Sequence, residues 1–341
     1  MNLREGLGFG HLTPQEQQAY KVILKAFSSM AVSVNCSQIN RDVDLMKILQ
    51  TVLGDNPSIV YFNKTKIEIE KSAFEKQIIL KGVHSKSDAE KMNSALDTTT
   101  DKIISSVKAR AQSNDEYSLL ISLYEILQKN IRYDKEEIQA NSTGVSNNPA
   151  SHNAYGAIIN KLAVCDGFSS AFALLAQKLG FECMLAVGRS TYAMAVQEHA
   201  WNIVKIRNKF YHLDVTWDTR AYNEFDEFSY AYFASTDEEI SNDHTWNKTM
   251  TPACSHSDFS YYSKNGLYAN NMEQLNDIIK ALGRKQSNVF RIKLSRSIKL
   301  PNNAKDYLIK MVFNEVAKPG MQVRASYGWN ENTRCFFAKI L

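Results

Sequence analysis

The chain has 341 residues, 44% of them hydrophobic and 22% charged, which gives length for about two domains with a sizeable core and excludes an intrinsically disordered chain. The formal net charge is only +4, and lysine and arginine are spread along the chain without a basic block, so neither nucleic acid nor an anionic membrane surface is an expected partner. No run approaches the roughly 18 apolar residues needed to span a bilayer.

Met1 to His11 lacks the apolar core of a signal peptide. The expectation is a protein that is secreted or held at the cell surface with its signal removed, or a cytoplasmic one. Leu12-Thr13-Pro14-Gln15-Glu16 then forms a capping box, with Thr13 as N-cap, Pro14 at the first helical position and Glu16 at the third, and predicts a helix to about Ser33. A second helix near Asp42 to Leu53 stops at Gly54. Asn56-Pro57 turns the chain into short strands at Ile59 to Phe62, Lys66 to Glu70 and Gln77 to Leu80. Ser87 to Ala111 reads as a long polar helix, and Ser118 to Lys129 as a helix with an apolar stripe of Leu119, Leu123, Ile126 and Leu127.

Beyond the polar loop Asn141 to Ser151 and a short helical run around Ala154 to Asn160, apolar residues recur as Phe168, Phe172, Leu175 and Leu179, one face of a helix. Gly180 suits the left-handed residue just past a helix end. The helix therefore runs from about Asp166 to Leu179, and Cys165 stands at its N-terminus. There the unpaired N–H groups and the positive end of the macrodipole favour thiolate over thiol, and the same N–H groups suit a developing oxyanion. Glu198 to Ile206 and Lys209 to Trp217 read as strands joined by a two-residue turn at Arg207-Asn208. In that register Asp214 lies opposite Trp201, and His199 is its diagonal neighbour on the same face, with their backbones on the order of 7–8 Å apart across the strands. An imidazole held by a carboxylate through one nitrogen can use the other against a thiol.

Each of these residues also has an ordinary reading: a buried thiol, a core or surface histidine, a solvated carboxylate. Cys, His and Asp are zinc ligands too, but close-spaced ligand pairs are missing. No metal and no cofactor is expected. Five cysteines (Cys36, Cys165, Cys183, Cys254, Cys335) leave at least one thiol free.

Residues 219–270 are rich in aromatic side chains of little regular period, read as a loop packed on the preceding elements, with the lining of a cleft as the alternative. His244 and His256 fall there and are read as structural or surface residues. The C-terminal part reads as helix Met272 to Leu282, strand Asn288 to Leu294 with Phe290, Ile292 and Leu294 inward and Lys293 on the wetter face, helix Asn303 to Val316, a break at Lys318-Pro319-Gly320, and strands Met321 to Tyr327 and Arg334 to Ile340.

C-D-G-F-S at Cys165 to Ser169, H-A-W-N at His199 to Asn202 and D-V-T-W at Asp214 to Trp217 resemble the three signature blocks of the transglutaminase-like family of cysteine enzymes. The run Tyr232 to Ile240, with Asp243-His244-Thr245-Trp246, resembles its bacterial members. The resemblance, which spans roughly Tyr155 to Trp246, implies a papain-like catalytic core; with the flanking elements read as small α/β modules at 1–112 and 271–341, the expected fold is α+β with the core at 113–270. The resemblance also implies Cys165 as nucleophile, His199 as general base and then acid, and Asp214 as the group that orients His199. The implied reaction is acyl transfer through a thioester: the side-chain amide of a protein-bound glutamine is the donor, ammonia leaves, and an amine such as lysine, or water in deamidation, accepts. Partners are then a protein or peptide glutamine donor and an amine acceptor. The Cys165 N–H is one oxyanion donor, with Tyr155 and Asn160 as candidates for the second. Tyr155, Trp201 and Trp217 are expected at the substrate, the two indoles shielding the thioester from water or else serving the core. A cysteine peptidase or amidase would use the same residues, and a binding module with negligible turnover is the reading from another class.

Overall fold

The protein is described here by a computed structural model covering residues 3–72, 75–141, 146–192, 195–317 and 322–341. Helix α1 (Pro14–Ser28) opens with the expected box: Glu16 N–H donates to the Thr13 hydroxyl, and Thr13 N–H donates to the Glu16 carboxylate at 2.9 Å. It ends earlier than its pattern predicts, because Met30 takes a φ of 55° and the chain turns into β1 (Ser33–Asn35). Helix α2 (Leu45–Asp55) is capped by Asp44, which accepts the N–H groups of Met46 and Lys47. β2 (Ile67–Lys71) and β3 (Lys76–Leu80) complete an antiparallel sheet in the order β1-β3-β2. The strand expected at 59–62 does not form. Ile59, Val60, Tyr61 and Phe62 are almost wholly buried as a core plug, so the apolar run encodes burial without a ladder.

Helices α3 (Lys86–Arg110) and α4 (Glu116–Asn130) lead through β4 (Arg132–Tyr133), α5 (Lys135–Asn141), one π turn at Gly156–Asn160 and β5 (Leu162–Ala163) to α6 (Cys165–Lys178). Gly180, with φ +97°, ends α6 as expected. Helix α6 is the central element. Every residue from Gly167 to Ala176 is buried, between α4 on one side and the main sheet on the other. Leu96 and Val107 of α3, Leu123 and Tyr124 of α4, and Phe168 and Phe172 of α6 belong to one apolar cluster.

The main sheet comprises β6 (Cys183–Tyr192), β7 (Ala195–Ile206), β8 (Lys209–Leu213), and, beyond helix α7 (Val215–Phe225), β9 (Phe233–Ser235), then, beyond the single turn α8 (Asp237–Ile240), β10 (His244–Trp246). The order is β10-β6-β7-β8-β9, antiparallel throughout. Arg207 and Asn208 both take positive φ, 46° and 63°, the two-residue turn whose twist suits a hairpin. That turn pairs Ile206 with Lys209 and Asn202 with Leu213.

The last part adds α9 (Tyr261–Lys264), β11 (Tyr268–Ala269), α10 (Met272–Arg284), β12 (Val289–Leu294), α11 (Ala304–Val316), β13 (Ala325–Asn330) and β14 (Cys335–Ile340). Its sheet, ordered β11-β12-β14-β13, buries Phe290, Ile292 and Phe336 against Leu275, Ile279 and Leu308. Lys293 departs from its expected wet face: it is buried and paired with Glu239. The expected break at Lys318-Pro319-Gly320 and the start of the next strand at Met321 lie outside the described residues. Among the described residues no helix is long and apolar enough to cross a membrane.

Candidate active site

Cys165 is the first residue of α6, preceded by Val164 in an extended conformation with no side-chain cap. Two residues of the C-D-G-F-S block fix this helix start. Gly167 lies so close to the Ser151 carbonyl that a Cβ there would stand 2.1 Å from its oxygen. The Ser169 hydroxyl reaches both the Cys165 carbonyl (2.8 Å) and the Ala200 carbonyl (2.9 Å), which straps the first turn of α6 to β7 one residue beyond His199. Asn202 adds a third tie, donating its amide to the Ser169 carbonyl at 3.0 Å.

His199 is buried, with Nε2 2.7 Å from Asp214 Oδ2, and its ring is also hydrogen-bonded to the Cys165 side chain. Burial alone would lower its proton affinity. The charge and hydrogen bond of Asp214, and then Cys165, outweigh burial and raise the pKa to about 9. Burial opposes ionisation of Asp214 as well, yet His199 and His244 together hold its carboxyl well below the usual range. The site thus favours imidazolium and carboxylate at neutral pH.

Asp214 does not sit on a strand as expected. β8 stops at Leu213, and Asp214 is the N-cap of α7, its Oδ1 accepting the Trp217 N–H at 3.1 Å. The β-rich Val215-Thr216-Trp217 disguised a capping aspartate, a role worth about 1 kcal/mol that here also aims Oδ2 at His199.

His244, expected to be structural or at the surface, lies wholly buried in the same cluster. Its Nε2 is 3.1 Å from Asp214 Oδ2 and its Nδ1 2.6 Å from Asp243 Oδ1. It arrives there because β10 closes on β6 at Gly188, where a Cβ would stand 2.1 Å from the Thr245 carbonyl oxygen. The adjacent Asp243-His244 pair was the available signal. His256 is exposed. A second missed histidine, His152, lies between Glu137 (3.1 Å) and Asp166 (2.9 Å), directly beside the start of α6.

Trp201 is fully buried and stacks on His199 at 5.9 Å, while its Nε1 donates to His212 Nδ1 at 2.9 Å. It offers no surface to a substrate, contrary to expectation. Trp217 is half-buried, with its ring 5.7 Å from that of His199, and forms part of the wall of a 450 Å³ cleft with Arg220, Tyr232, Tyr327, Trp329 and Asn330. Tyr155 is half-buried; its N–H is taken by Asn153 Oδ1 at 2.9 Å and is not a free oxyanion donor. Asn160 is exposed at the end of the π turn.

Among the described residues two groups bring metal-ligating atoms within 4.8 Å of one another: His199, Asp214 and His244, and His212, Asp237 and Cys254. Hydrogen bonding accounts for both. His212 Nδ1 accepts the indole N–H, so the ring proton sits on Nε2 and points at Asp237 Oδ1, 2.8 Å away. A metal on Nε2 would force a proton onto Nδ1 against that indole. In the first group the ring nitrogens facing Asp214 must likewise carry protons to donate to it.

Residues 105–215 match the family model of the transglutaminase-like superfamily. No curated protein matches the chain. Among solved structures, a TGase is similar at 18% identity with a TM-score of 0.32, over 44% of each chain. A candidate cysteine protease from Cytophaga hutchinsonii is similar at 12% identity and a TM-score of 0.27, over 44% of this chain and 61% of that one. A structure of menin is similar at 11% identity and a TM-score of 0.28, over 90% of this chain and 58% of that one. The chain thus spans 44% to 61% of the length of these structures.

Proposed function

We propose, from the premise that residues 105–215 belong to the transglutaminase-like superfamily, that the chain is a cysteine enzyme of acyl transfer. The observation that carries this reading is the line from Cys165 at a helix start to His199 and on to the buried Asp214, with the His199–Asp214 contact at 2.7 Å. In it, the Cys165 thiolate attacks the side-chain carboxamide of a protein-bound glutamine. The oxyanion forms against the first-turn N–H groups of α6. His199, as imidazolium, gives its proton to the departing ammonia and leaves a thioester on Cys165. An amine then attacks, His199 takes its proton, and Cys165 leaves as thiolate. Asp214 holds His199 in orientation and balances its charge throughout. Trp201 and Trp217 pack beside His199 and support a water-poor site that favours amines over water.

The division into 1–112, 113–270 and 271–341 belongs to the same proposal. Separate apolar clusters in the first and last parts support it, although Leu96 and Val107 of the first join the cluster of the middle part.

The test is incubation with a glutamine-containing protein and a labelled primary amine, with and without calcium. Amine incorporation and ammonia release that vanish in Cys165→Ala support the transferase. New N-termini in the donor without incorporation establish a peptidase instead, and neither product across a broad panel of proteins sinks the enzymatic reading.

A further inference from the structure

Asp214 does not serve His199 alone. Its Oδ2 faces Nε2 of both His199 (2.7 Å) and His244 (3.1 Å), while Oδ1 is occupied by the Trp217 N–H. On its far side His244 meets a second carboxylate, with Nδ1 2.6 Å from Asp243 Oδ1, and the Tyr232 hydroxyl donates to the other Asp243 oxygen at 2.7 Å. An ionised carboxylate only accepts, so an imidazole between two of them must carry hydrogen on both nitrogens. Both carboxylates and the ring are buried, which removes water as an alternative partner.

We propose that His244 is a positioning residue of the candidate active site: an imidazolium clamped between Asp243 and Asp214 that shares Asp214 with His199 and thereby limits how tightly His199 holds its proton. The proposal rests on the cysteine-enzyme reading above. The groups facing His244 are Asp214 from the start of α7, Asp243 on its own turn, Tyr232 ahead of β9, and His199 on β7 with its ring 5.2 Å away; His212 on β8 adds a weaker repulsion from beyond Trp201. Burial lowers the proton affinity of His244, but its hydrogen bonds to Asp214 and Asp243 win and raise its pKa to about 9. Its positive charge acts on His199 in two ways: it draws on the same carboxylate, and it repels the His199 imidazolium. A His199 that held its proton without this restraint would be a poorer acid toward departing ammonia.

The experiment is a pH titration of the full chain, with 15N-labelled histidine side chains, by NMR in the wild type, His244→Gln and Asp243→Asn. His244→Gln removes the charge at similar volume. Asp243→Asn keeps the ring but removes the group that holds its second proton, so it decides the matter if His244→Gln fails to fold. The expected result is a doubly protonated His244 at pH 7 in the wild type and, in each folded variant, a His199 midpoint about one pH unit higher, a tenfold change in its acid constant. A His199 midpoint that stays put in a folded variant, or a His244 with a single ring proton at pH 7, overturns the proposal. Alkylation of the wild type near pH 6 separates the two readings. If Cys165 reacts first and His199 does not move, only the role of His244 falls; if Cys165 is not the first to react, the enzymatic reading falls and this proposal with it.

Discussion

His199 and His212 stand on neighbouring strands of one sheet, each with an aspartate oxygen at 2.7–2.8 Å and a cysteine close by, yet their proton affinities are driven in opposite directions. The difference begins with the carboxylate: Asp214 is fully buried and outweighs the desolvation of His199, whereas the partly exposed Asp237 does not outweigh it at His212, where His244 and Lys248 add repulsion. At His199, Cys165 adds to the upward shift after Asp214. His212 accepts the Trp201 indole N–H, so protonation at that nitrogen would break a buried hydrogen bond, and desolvation prevails. The cysteines differ in step. Cys165 is partly exposed at a helix start, whereas Cys254 is buried, bonded to the Pro252 carbonyl and pushed far up by burial. A carboxylate beside a histidine is therefore insufficient to make an ion pair; the burial of that carboxylate and the other groups around the ring decide.

The largest effect that tests this contrast is on catalysis. Cys165→Ala and His199→Ala should each reduce acyl transfer by roughly 10⁴-fold or more with unchanged circular dichroism, and Asp214→Asn should leave a measurable residue of activity. Cys254→Ala should change the rate by less than about twofold, as expected of a substitution outside the reacting groups. A comparable loss in Cys254→Ala would erase the distinction.

The two histidines should also separate in the pH dependence of stability. His199 has a folded pKa of about 9 against 6.5 for the free side chain, so its contribution is fully present below pH 6.5 and is lost as pH rises through 9. The full loss is on the order of 3 kcal/mol. His212, whose folded value is depressed, acts in the reverse sense: its contribution is present above pH 6.5 and lost on acidification. Urea unfolding between pH 6 and 10 should show the alkaline loss in the wild type and a flatter curve in His199→Gln; equal slopes would remove the ion pair from the account.

A smaller effect concerns the frame that positions Cys165. Gly167→Ala should cost about 1–3 kcal/mol in urea unfolding, because the added methyl meets the Ser151 carbonyl at the helix start. Gly10→Ala, where a Cβ meets nothing within 4 Å, is the control and should stay near neutral.

Local signals carried much of this site. The apolar period of α6, the stop at Gly180, and the turn at Arg207-Asn208 are short-range features that place Cys165 at a helix start and His199 near Asp214, while the three signature blocks join the two. Where a residue served two purposes, the reading failed. Val215, Thr216 and Trp217 look like strand residues by side-chain type, but capping by Asp214 made them a helix. Ile59 to Phe62 look like a strand because both a ladder and a core plug demand apolar side chains. His244 and His152 were out of reach for a different reason. Each owes its place to a long-range approach, β10 onto β6 at Gly188 and the 149–152 turn onto α6 at Gly167, and such an approach leaves little local trace beyond a glycine and, for His244, the adjacent Asp243.

The central claim, that Cys165 alone among the five free cysteines is partly exposed at a helix start beside His199 and so placed to react, is tested most directly by limited iodoacetamide alkylation of the folded protein near pH 6 with peptide mapping. Cys36, Cys183, Cys254 and Cys335 are buried and their thiols are driven toward the neutral form by that burial. Cys165 should carry the first label, at a rate at least about tenfold above the other four, and lose that advantage in His199→Ala. First labelling at any other cysteine of the folded protein, or a Cys165 rate indifferent to His199, would contradict the account.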